Sequence, residues 1–120
     1  MSKTIKEMQD EIGAWSVSKG FWERPRASGE VKDDHPFLAM KIALSHSELS
    51  EALEEMRSGN PNFYISEEEE GKPEGLGVEL ADAVIRILDL ASHLEIDLGE
   101  MIEIKMAYNQ GRPYMHGRKF

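Results

Sequence analysis

An all-α fold, four-helix bundle-like and forming a single domain over residues 1–120, is predicted from three observations. Apolar residues recur at three- and four-residue spacing in four separate segments. Proline, glycine and polar capping residues fall between those segments. No stretch alternates apolar and polar with the period of two that a half-buried strand requires. A chain of 120 residues, 40% hydrophobic and 31% charged, has room for one substantial core.

The first helix is expected over Thr4 to Lys19, where Ile5, Met8, Ile12 and Trp15 share one face and Gly20 stands ready to end it. Trp15, on that apolar stripe, is expected in the core. "GFWERPRASGEVKDDHP" reads as a loop punctuated by Pro25, Gly29 and Pro36. The second helix begins near Pro36, tolerated in a first turn, and runs to about Arg57. "SGNPNFYISEEEEGKPEG" is a second loop, with four consecutive glutamates as a solvated run. A third helix is expected from Leu76 to Leu94. Asp97 then caps a fourth, with Glu100 three residues on, and Gly111 and Pro113 follow its end near Asn109.

The formal net charge of -9 repels DNA and anionic lipid, so neither stable nucleic-acid binding nor membrane binding is expected. No apolar run approaches the roughly 18 residues that cross a bilayer. The opening "MSKTIKEMQDEIGAW" carries charges where a secretory leader has its apolar centre, so a cytoplasmic location is expected. The absence of cysteine excludes disulfides, thiolate metal ligands and a cysteine nucleophile. From Met101 onward Lys105, Arg112, Arg118 and Lys119 face only Glu103, leaving a basic tail on an acidic body.

At about 100° per residue, the glutamates of "HSELSEALEEMR" can be placed by phase. Leu38, Ile42, Ser45, Leu49, Leu53 and Met56 form a stripe expected to be the core face of the second helix. Glu48, Glu51 and Glu55 share the adjacent stripe with Phe37, Met40 and Leu44, while Glu54 falls away. In the third helix Leu80, Val84, Leu88 and Ala91 form the expected core stripe, flanked by Leu76, Ala81 and Ile87. Glu79, Asp82, Arg86 and Asp89 gather opposite. Each helix thus offers an acidic pair at i, i+3, "ELSE" and "ELAD". Packed antiparallel, the pairs would bring four carboxylates to one point, where Mg²⁺ or Mn²⁺ would relieve their repulsion. Two separately solvated acidic faces are the other reading of the same spacing.

"HSELSEALEEMR", "GVELADAVIRILDLA" and "IKMAYNQGRPYMHGRKF", in that order, resemble the MazG-like branch of the all-α nucleoside triphosphate pyrophosphohydrolases. The resemblance covers roughly residues 36–120, with a looser echo in "KGFWERPR". It implies assembly as a dimer or tetramer and Mg²⁺-dependent release of pyrophosphate from a nucleoside triphosphate substrate. It also implies Glu48, Glu51, Glu79 and Asp82 as metal ligands, with Lys105, Asn109 and Arg112 near the phosphates or nucleotide. Family members often have an acid before the first motif glutamate. Ser47 stands there, and phase suggests Glu55 as the residue that positions water instead.

Other residues keep two readings. Trp22 either stacks on a base or forms a hydrophobic lid with Phe21. Asn109 either contacts nucleotide or caps its helix. Arg86 is expected to pair with Asp82, Asp89 or Glu79. His46 and His93 form no E-x-x-H with an acid, which disfavours a di-iron bundle. Two further functions stay open: a non-catalytic acidic helical interaction module, and a sister activity such as phosphoribosyl-ATP pyrophosphohydrolase. With two decorated faces per helix, the unit is expected to be part of a larger bundle.

Overall fold

The computed structural model describes residues 2–119. Its elements are α1 (Ile5–Ser18), α2 (His35–Arg57), β1 (Tyr64–Ile65), β2 (Pro73–Glu74), α3 (Leu76–His93) and α4 (Leu98–Gln110), with short 3₁₀ turns at Val31–Asp33 and Tyr114–Gly117. The fold is all-α apart from one small hairpin. Each helix begins where a cap fits. Thr4 Oγ1 accepts from the Glu7 amide and Glu7 reaches back to the Thr4 amide, a reciprocal capping box. Asp34 caps α2, with Pro36 in its first turn. Asp97 Oδ1 accepts from the Glu100 amide at 3.1 Å.

The stretch after α2, expected to be a loop, contains the antiparallel β1–β2 hairpin, with Tyr64 opposite Glu74 and Ile65 opposite Pro73. The acidic run at residues 67–70 forms its exposed tip, held by Ser66 Oγ accepting from the Glu69 amide and by Lys72 near Glu69 and Glu74. Two residues per strand are too short to print a period-two signal in the sequence. Gly75, at φ 119°, passes so close to the Asn62 carbonyl that a Cβ would collide with it, and this bend launches α3.

α3 is the central helix, packed against α2 on one side and α1 on the other, whereas α4 rests chiefly on α1. The four helices therefore do not close around one common core. The radius of gyration, 17.1 Å, exceeds the roughly 14 Å of a compact domain of this length.

The buried stripes are not the expected ones. On α1 the buried residues are Gln9, Gly13 and Ser16, while Ile5, Met8 and Trp15 are exposed, Trp15 by 50%. Gly13 is what allows this: a Cβ there would collide with Ser92 Oγ, so the polar stripe is the one that admits close approach of α3. Gln9 is satisfied by donating to the Ile96 carbonyl at 2.6 Å and accepting from the Leu98 amide at 3.2 Å. On α2 the expected core residues Ile42, Leu49, Leu53 and Met56 face outward, and Glu48 and Ala52 are buried instead. On α3 Leu88 and Ala91 are buried as expected, but Leu80, Val84 and Ile87 are exposed while Glu79 and Ala83 turn inward. Within one chain the polar faces meet and much of the apolar surface points out.

Candidate metal centre

α2 and α3 pack through small residues, Ala52 on one and Ala83 on the other, both nearly inaccessible. Their close approach places the carboxylates beside these alanines against each other. Glu48 and Glu51 from α2 and Glu79 from α3 each offer an oxygen within 4.8 Å of the other two. Asp82 lies one turn beyond Glu79 on α3, outside this set of three, and lines a cavity together with Glu48.

Glu79 is the innermost of the group. It is only 8% exposed, and its Oε2 is buried with no hydrogen-bond partner. Burial first, then the adjacent Glu51 carboxyl, pushes its pKa up to about 7. The Asp82 carboxyl is also held above the usual range, by burial and then by the Glu48 charge, with Arg86 acting the other way. An orphaned carboxylate oxygen facing two other carboxylates costs free energy unless a proton or a cation is shared among them. An all-oxygen donor set of this kind suits a hard divalent cation such as Mg²⁺ or Mn²⁺.

Among the described residues, Arg86 is the cation that enters the group directly. Arg86 Nε donates to Glu48 Oε1 at 2.8 Å, bridging α3 to α2. Arg86 was expected on Asp82, Asp89 or Glu79 of its own helix; its partner lies across the helix pair, which phase on a single helix does not display. The contact occupies Glu48 Oε1 and ties the carboxylate of α2 to α3.

Glu55 does not join the three. Its two oxygens accept from the Tyr64 hydroxyl at 2.9 and 3.0 Å, and Asn60 donates to Oε2 at 2.9 Å, so the carboxylate ties the hairpin to α2. The same contact, with burial as the larger cause, pushes the Tyr64 hydroxyl up to about 12. Glu54 faces solvent and reaches only Arg57.

Lys105, Asn109 and Arg112 lie on α4 and just past it. No residue of α4 is buried. Lys105 and Arg112 converge on Tyr108, with Nζ 4.9 Å and Cζ 5.5 Å from its ring centroid. This cationic patch is on the helix that has little contact with α2 or α3.

Trp22 packs inward. Its ring stacks on His93 at 3.7 Å and 10°, meets Phe37 edge-on at 5.5 Å, and its indole N–H donates to Asp89 Oδ2 at 3.0 Å. The sequence drew no notice to Asp89 beyond its polar face, yet it organises this region. Its Oδ1 accepts from Ser16 Oγ at 2.5 Å and lies 3.3 Å from His93 Nδ1. Lys41 also escaped notice; its spacing of seven residues, two turns, from Glu48 was the available signal.

Lys41, Asp89 and Ser16 border a cavity of 260 Å³ between α1, α2 and α3. Glu48, Asp82 and Arg86 are at its carboxylate end. Trp15, Phe21 and Ile85 provide apolar walls, and Lys41 and Asp89 lie toward its other end. No family model matches the chain, and neither a curated protein nor a solved structure matches it. Among the described residues no helix is long and apolar enough to cross a membrane.

Proposed function

We propose that the chain is a Mg²⁺-dependent nucleoside triphosphate pyrophosphohydrolase of the MazG-like kind, cleaving a nucleoside triphosphate to the monophosphate and pyrophosphate. The observation that carries this reading is the convergence of Glu48, Glu51 and Glu79 from two helices around the unpartnered, buried Glu79 Oε2. Glu48, Glu51 and Glu79, with Asp82 adjoining, would hold the cation. When bound, it supplies neutralisation of the triphosphate and a more acidic water for attack between the α- and β-phosphates. The chain's own groups do the rest. Arg86 fixes Glu48, and the cavity beside the carboxylates receives the nucleoside against its apolar walls.

Lys105 and Arg112 suit the charge on a departing pyrophosphate, Arg112 through bidentate contact. Within one chain they are carried on α4, away from the carboxylates. We therefore propose self-association, with the α4 of one copy completing the site of another. The exposed apolar stripe Ile42, Leu49, Leu53 and Met56 and its neighbour Leu80, Val84 and Ile87 support assembly as a dimer or tetramer, since such surface is costly in water.

The test is pyrophosphate release from a panel of nucleoside and deoxynucleoside triphosphates, with phosphoribosyl-ATP included to distinguish the sister activity, with and without Mg²⁺. A purely interacting acidic module predicts no turnover and no saturable effect of Mg²⁺. The hydrolase predicts thermal stabilisation by Mg²⁺ with a non-hydrolysable nucleotide. At a ligand concentration of 100 Kd this amounts to about 2.7 kcal/mol, several degrees in Tm.

A further inference from the structure

The cavity has a direction. Lys41 precedes Glu48 by seven residues on α2, and Asp89 follows Asp82 by seven on α3, so each pair spans two helical turns, about 10 Å along the axis. All four residues line the same cavity. A nucleotide with its phosphates at Glu48 and Asp82 therefore directs the far edge of its base toward Lys41 and Asp89.

These two residues are not equally available to a base. Asp89 is an acceptor by chemistry, but Ser16 and His93 lie against one oxygen and the Trp22 indole donates to the other. Lys41 is a donor with three N–H groups, of which one goes to the Phe21 carbonyl at 2.5 Å. Its ammonium is held against two aromatic rings, with Nζ 4.6 Å from the Trp22 centroid and 5.1 Å from that of Phe37. Burial pulls its pKa down, while the Asp89 charge opposes this and Arg86 adds to it. The far end thus presents a fixed donor and an acceptor that is already occupied.

We infer that Lys41 is a specificity-determining residue that selects bases carrying a carbonyl at the position farthest from the sugar, uracil, thymine or guanine, over those carrying an amino group there, cytosine or adenine. This rests on the nucleotide reading of the site and specifies its substrate class. A carbonyl oxygen accepts from the ammonium; an exocyclic amino group sets donor against donor and leaves a desolvated charge without a partner. Discrimination of one good contact of this type is about tenfold or more.

The experiment measures binding of UMP against CMP, and of dUMP against dCMP, in Mg²⁺, by tryptophan fluorescence, to which Trp15 on the cavity wall contributes. Uracil nucleotides should bind at least about tenfold more tightly, and Lys41→Met should bring the ratio close to one. Lys41→Gln, which keeps a donor but adds an acceptor, should give an intermediate ratio and guards against a folding defect in the first variant. Equal affinities, a preference for cytosine, or a preference that survives in both variants overturns the inference. If the preference holds while no triphosphate releases pyrophosphate, Lys41 keeps its role and the hydrolase reading fails instead.

Discussion

The α2–α3 pair and the end of α4, where Lys105 and Arg112 meet, present side chains of opposite charge and stand in opposite states of completion. In the pair, carboxylates are driven together by alanine-mediated helix packing, and Glu48 and Glu79 are buried. Lys105 on α4 and Arg112 just past its end share the ring of Tyr108, and no side chain of the helix is buried. A helix without buried residues gains little from tertiary packing, which is where most helical stability in proteins arises. The comparison teaches that one chain gathers carboxylates by helix packing and leaves Lys105 and Arg112 exposed on a helix with no buried side chain.

The strongest way to break that comparison is at the carboxylates. Glu51→Gln or Asp82→Asn should reduce pyrophosphate release by more than the roughly 10–100-fold that loss of an outer partner costs, with the helical circular dichroism unchanged. Near wild-type rates at saturating Mg²⁺ would remove these residues from the site. Next comes the question of which copy supplies the cations. Mixing Glu51→Gln with Lys105→Ala, each inactive alone, should restore part of the activity if α4 serves a neighbouring chain. No recovery in demonstrably mixed oligomers would place α4 with its own chain.

A smaller effect should follow from the outward apolar stripes. Leu53→Lys adds a charge where the isolated chain is already half exposed, so a lone chain tolerates it with a change within about 0.5 kcal/mol. An assembly that buries the stripe should dissociate, halving or quartering the sedimentation mass; unchanged mass would move the interface elsewhere.

The smallest expected effect is on pH. Glu79 is protonated in both folded and unfolded chain below its ordinary value of 4.5; as pH rises toward 7 the unfolded chain ionises first. The unfolded state then binds fewer protons, so this residue's contribution to stability falls with rising pH and is lost above about 7. In chelator, Tm should drop by a few degrees between pH 5 and 8 relative to Glu79→Gln, and Mg²⁺ should abolish the drop. Parallel profiles for the two proteins would mean that Glu79 is better solvated than its burial implies.

Helix limits were legible because caps are local. Thr4, Asp97, Gly20 and the prolines each act within a few residues of themselves, and the observed limits fall within one residue or so of the expected ones. The acidic pairs were legible for the same reason, since i, i+3 spacing fixes a shared face. Which face turns inward was not. Ile12, Trp15, Ile42 and Leu53 have the more hydrophobic pattern, yet Gln9, Ser16, Glu48 and Glu79 are more deeply buried than any of them. Binary pattern reports what should leave water somewhere in the finished assembly, and cannot say whether the cover is another helix of the same chain.

The amino-acid order alone determined four helices, their ends and the two acidic pairs, because hydrogen-bonded turns and caps involve only near neighbours. Tertiary structure decided that Arg86 crosses to Glu48, that Glu55 belongs to Tyr64, that Lys41 and Asp89 border one cavity, and that α4 stays apart. Those are contacts between residues distant in sequence. They depend on which surfaces approach closely enough to exclude water, and here Gly13, Ala52 and Ala83, by being small, made that choice.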